Sequence, residues 1–132
     1  MDWFSYFVSR CEYWKQKLGL TDWFVTYSDK SDPDNQEDPA YCRYIIHNKI
    51  AVIGFVPHLD NSWEWTQELV DRYALHEMLH LAVAELIALI ERRSYNEVDC
   101  NIIEHSLIRR LENCLLEFER DEIRSSNIHQ ES

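Results

Sequence analysis

What is scarce in this 132-residue chain narrows its function first. Positive charge is scarce: 13 Lys and Arg stand against 24 Asp and Glu, a formal charge of −11. No basic stripe offsets that excess, so a nucleic-acid backbone would be repelled and DNA or RNA binding is not expected. Cysteines at ribbon spacing are missing too. Cys11, Cys42, Cys100 and Cys114 are widely spaced with no C-x-x-C among them. That excludes a zinc ribbon and the dense disulfide framework of a small secreted domain. The segment Met1-Asp2-Trp3-Phe4-Ser5 has no basic stretch followed by an apolar one, so no signal peptide is evident. The longest apolar run, Leu79 to Ile90, is interrupted by Glu85 and too short to cross a bilayer. The expectation is a cytoplasmic protein with no membrane partner.

What is present describes a folded domain. Hydrophobic content is 45% with 13% aromatic residues, which suits a core and not a disordered chain. The length suits one domain but is short for a two-lobed protease. Most of the Trp and Tyr residues are expected to fill core volume, with some lining a groove. Apolar residues at Phe4, Phe7, Val8, Cys11, Trp14 and Leu18 have helical spacing, and Gly19-Leu20 fits a left-handed helix end. Trp23–Tyr27, Ala40–His47 and Ile50–Val56 read as strands, the last two joined as a hairpin through Asn48-Lys49. Between them, residues 28–39 (SDKSDPDNQEDP) form a polar, acidic, exposed loop. Asp60-Asn61-Ser62 offers caps for a long helix from about Trp63 to Arg92. Ser94 to Glu97 has capping-box spacing for a last helix reaching about Arg124. The expected fold class is α+β: an N-terminal helix, a three-stranded sheet with a hairpin, then two helices. Residues 1–124 form the one domain and 125–132 a polar, disordered tail.

The chemistry concentrates at His76-Glu77-Met78-Leu79-His80. Residues four apart share a helix face, so the two imidazoles can hold one divalent ion. Glu77, the next position round, can reach a metal-bound water without being a ligand. This is the His-Glu-x-x-His arrangement of zinc metalloproteases. Both x positions are uncharged, and the flanking run from Tyr73 to Val83 is free of Gly and Pro.

Catalytic zinc usually has three protein ligands. A metzincin would need Gly and a third His downstream, but Val83 and Leu86 hold those positions, so that class is excluded. The following helix offers Glu104 and His105. With Ile103, Leu107, Leu111, Cys114, Leu115 and Phe118 as its apolar face, Glu104 has Leu111, Leu115 and Phe118 within roughly 40°. A carboxylate aimed at a core is costly unless paired or bound to metal. On that wheel Glu104 is the third ligand and His105 the alternative. Glu104 paired with Arg109, Arg110 or a tyrosine, without metal, is the other possibility. His47, His58 and His129 stand in no spacing relation to the pair and read as surface residues.

With ALHEMLHLAVAEL on one helix and Glu104-His105 on the next, the chain resembles a minimal zincin. It is similar to the small metallopeptidase-like proteins of phage and prophage genomes, distantly SprT-like and ImmA-like, over residues 1–118. The resemblance implies zinc held by His76, His80 and Glu104, with Glu77 as general base of a gluzincin-like peptidase acting on a specific protein or peptide. The gap from His80 to Glu104 is longer than usual for gluzincins. Tyr95 is a candidate oxyanion donor, and Ile50–Val56 one possible sheet edge for an extended substrate. The alternative is a non-catalytic binding or regulatory protein on a retired zincin scaffold, with structural metal or none.

Overall fold

Asp2 starts the first helix by accepting from the Ser5 amide at 3.1 Å, an N-cap for α1 (Trp3–Lys17). Gly19, at φ 70°, ends it in the left-handed conformation that glycine adopts without a Cβ clash. Leu20 N then reaches back to Lys15 O at 2.9 Å, and Gly19 N to Gln16 O at 3.2 Å, as the sequence predicts. The computed structural model describes residues 1–59, 64–92 and 97–131, with backbone alone at 99, 103, 121 and 125–131.

The architecture is α+β. Strands β1 (Phe24–Ser28), β2 (Ala40–Ile45) and β3 (Ile50–Phe55) form one sheet in the order β1-β3-β2. The hairpin β2–β3 is antiparallel, whereas β1 pairs with β3 in parallel. Ile50–Val56 is therefore the centre of the sheet and not an edge, because β1 takes up the hydrogen-bonding side that the hairpin leaves open. The free edges belong to β1 and β2. The hairpin turn spans residues 46–49. Lys49 sits there at φ 52°, a conformation that costs a non-glycine residue about 1 kcal/mol. Its carbonyl accepts from Phe24 N at 2.8 Å, opening the β1 ladder, and its ammonium pairs with Asp22 and Glu85.

The expected long helix is two. Thr66 caps α2 (Gln67–Ala82) by accepting from Leu69 N at 3.1 Å, and α3 (Ala84–Glu91) follows after Val83. Their axes differ by 48°. Neither Gly nor Pro marks this bend in the sequence; its effect is to direct Ala84 and Ile87 into the core. The proposed caps at residues 60–62, the proposed helix start at Trp63 and the capping-box residues Ser94 to Asn96 lie outside the described residues. Helix α4 runs from Glu97 to Glu131, past Arg124 and through the stretch that composition presents as a tail. Among the described residues no single helix is long and apolar enough to cross a membrane.

The core lies between the inner sheet face and α1 and α2. Phe7 stacks on Phe55 with centroids 4.5 Å apart, and Cys11, Ile53, Val70, Leu75 and Met78 are fully buried around them. Polar groups also tie the helices together. Arg10 Nε and Trp14 Nε1 both donate to Asp71 Oδ1, at 2.7 and 2.8 Å, and Arg10 Nη2 reaches Glu119 Oε1 of α4 at 2.9 Å. Asp71 is buried, so Asp71→Ala would strand the Trp14 indole N–H and leave the part-buried Arg10 guanidinium with Glu119 alone. A loss of about 3 kcal/mol in unfolding free energy is expected. An unchanged denaturation midpoint would show that the network does not join the helices.

Candidate metal centre

The amphipathic packing of α2 sends its sequence motif inward. Val70, Ala74, Leu75, Met78, Leu79 and Leu81 are buried, and Glu77 is buried with them at 5% exposure. His76 and His80, one turn apart, lie partly buried at the rim of this face, with ring centroids 5.1 Å apart. Helix α4 crosses beside α2 and adds His105, whose ring centroid lies 5.7 Å from His76 and 5.0 Å from His80. One ring nitrogen from each of the three lies within 4.8 Å of the others.

Nδ1 of each ring is hydrogen-bonded. His76 Nδ1 donates to Glu112 Oε2 at 2.7 Å, His80 Nδ1 to Glu104 Oε1 at 2.9 Å, and His105 Nδ1 to the Asn101 carbonyl at 2.9 Å. An ionised carboxylate and a carbonyl can only accept, so the proton of each neutral ring belongs on Nδ1. Nε2 is left with its lone pair. Three neighbouring imidazoles, each with Nδ1 backed by an acceptor and Nε2 able to donate its lone pair, are a donor set suited to a divalent metal.

Glu104 points inward, as the sequence predicts, with its side chain 12% exposed, but it meets His80 Nδ1 and contributes none of the three clustered ligand atoms. The wheel that names it third ligand takes Phe118 as part of the buried stripe, yet Phe118 is 62% exposed. The buried positions of this part of α4 are Ile108, Glu112 and Leu116. Measured at ~100° per residue, His105 lies about 20° from both Glu112 and Leu116, while Glu104 falls on the far side of Ile108. The Glu104 carboxylate accepts from the ring of His80 at 2.9 Å. Among the described residues its partner is His80, not Arg109, Arg110 or a tyrosine.

Glu112 was not singled out from the sequence. Its signal is its place on the inward face of α4, legible only once Ile108 and Leu116 define that face. It is 3% exposed, and Arg72 Nη1 lies 3.7 Å from its other oxygen. Burial disfavours the charged form of His76, but the hydrogen bond to Glu112 and the charges of Glu77 and Glu112 outweigh it and raise the pKa, Arg109 opposing. Burial pushes the Glu77 carboxyl up to about 8; His76 pulls against this, while Asp38, Glu112 and Glu104 add to it.

These groups share a cavity of about 660 Å³ lined by His76, Glu77, His80 and His105. Its far wall is β2, an edge strand, through Ala40, Tyr41 and Cys42, with Asp32 and Asp38 from the acidic loop. The loop is held in place: Tyr41 Oη donates to Lys30 O at 2.7 Å, and Arg43 pairs with Asp32 and Asp34. Tyr41 packs over Gly54, where a Cβ would collide with its ring. His47 and His58 are exposed surface residues. The side chain of His129 and the whole of Tyr95 lie outside the described residues. Comparison with protein-family models, curated proteins and solved structures returned no match.

Proposed function

We propose that this protein is a zinc-dependent peptidase that hydrolyses a specific protein or peptide partner. The observation that carries the reading is the convergence of three imidazoles in the cavity that also holds the Glu77 carboxyl. Their donor chemistry fits zinc, and we assign the ligands as His76, His80 and His105. Glu112 and Glu104 then orient the first two rings, and the Asn101 carbonyl orients the third. When bound, the ion supplies Lewis acidity and an acidified water. Glu77, fixed between the histidines by the packing of α2, takes the proton of the attacking water and returns it to the leaving amine. An extended peptide pairs with the free edge of β2, which runs along the cavity wall. The acidic loop beside that wall favours a narrow set of substrates. It is the resemblance to minimal zincins that points to a peptide bond in preference to another hydrolysable one. The free thiols of Cys11, Cys42, Cys100 and Cys114 support a reducing, cytoplasmic setting.

Elemental analysis after zinc reconstitution tests the centre, with about one zinc per chain expected. His76→Ala or His80→Ala should lose the ion together with thermal stability, since a ligand of the native state alone stabilises it. A chain that retains no transition metal would overturn the reading. Zinc bound without hydrolysis of any peptide would favour the non-catalytic alternative, a binding protein on a zincin-like scaffold.

A further inference from the structure

Arg109 follows His105 by one helical turn, so the two side chains leave α4 on one face. It lines the imidazole cavity and also a second cavity of about 460 Å³ on α4, and His105 and Asn113 line both as well. The two cavities therefore adjoin along this stretch of α4, and no sheet residue lines the second. Acidic residues outnumber basic ones 24 to 13 in this chain, so partners for an arginine are plentiful. The cavity's other arginine, Arg72, has them: Glu112 at 3.7 Å and Asn113 Oδ1 at 3.1 Å. Arg109 makes no ion pair among the described residues. Because Asn113 Oδ1 is taken by Arg72, the polar group that amide has left is its NH₂, a donor. Where the two cavities meet, Arg109 is thus the cationic donor without an ion-pair partner among the described residues, beside the Asn113 amide.

We infer that Arg109 is the carboxylate-binding arm of this site, so that the substrate carries a carboxylate next to the bond being cut. The inference rests on the peptidase reading above and supplies its substrate class. A guanidinium presents a planar fork matched to a carboxylate. Peptides offer that group in two forms, an Asp or Glu side chain and a free C-terminus. Held by Arg109, either one would set the register of the chain across the three imidazoles and Glu77.

Peptide binding to the zinc-loaded Glu77→Gln protein tests this without requiring turnover. Three otherwise identical peptides are compared by fluorescence anisotropy: internal Asn with an amidated C-terminus, internal Asp with an amidated C-terminus, and internal Asn with a free C-terminus. One of the two charged peptides should bind at least about tenfold more tightly than the neutral one, and which does so identifies the source of the carboxylate. Adding Arg109→Gln should erase that preference. Adding Arg110→Gln should leave it, since Arg110 carries the same charge but lines only the second cavity. Both variants replace exposed side chains, so the fold should stand. Equal affinity for all three peptides, no binding of any, or a preference that survives Arg109→Gln overturns the inference. A preference lost only with Arg109 supports it even if the wild type proves unable to hydrolyse peptides, which would sink the peptidase reading alone.

Discussion

Glu77→Gln should abolish peptide hydrolysis while leaving zinc and fold in place. The side chain is 5% exposed and lines the same cavity as the three imidazoles, but it is not one of the converging nitrogen donors. An amide of the same shape cannot accept the proton of an attacking water. The loss expected for a general base is at least about a hundredfold in kcat. Folding should not suffer, because Gln carries no charge into a buried position, where an ionised carboxylate is disfavoured. The measurement pairs peptide turnover with zinc content and a melting curve, wild type beside variant. Release of the metal by this substitution would give Glu77 a structural part and remove it from the mechanism.

The second large effect separates neighbours on α4. His105→Ala should reduce zinc affinity by several orders of magnitude, because two imidazoles alone hold zinc poorly. Glu104→Gln should weaken it by about 10- to 100-fold, as expected for a group that orients a ligand through its second nitrogen. Glu112→Gln belongs with Glu104→Gln, since Glu112 stands to His76 as Glu104 stands to His80. A competitive chelator titration ranks the three. If Glu104→Gln costs more than His105→Ala, the carboxylate binds the metal directly, and the helix must rotate to bring it there.

Local pattern was enough for several parts of this molecule. Asp2, Gly19 and the apolar spacing between them specify α1, because caps and helical periodicity act within a few residues of chain. The aromatic and β-branched runs specify three strands for the same reason. The pair His76 and His80, with Glu77 between them, is also a local fact: spacing of four on a helix places both rings on one side. The α+β class follows from the order of those elements.

Sheet order, the bend at Val83 and the third imidazole were decided elsewhere. Nothing in Ile50–Phe55 says that β1 will pair with it in parallel, because that depends on where the chain after β1 crosses. Val83 carries no Gly or Pro signal, yet the axes of α2 and α3 differ by 48° there. On α4, apolar residues occur around much of the helix, so its sequence admits more than one buried stripe. Contact with α2 chose the stripe through Ile108 and Leu116, and that rotation carried His105 and Glu112 inward while leaving Phe118 exposed. The sequence by itself determined the two helical histidines and the glutamate between them, since their geometry is set by one helix. Which group of α4 meets them was decided by tertiary packing, because a rotation of a single residue step, about 100°, exchanges Glu104 for His105.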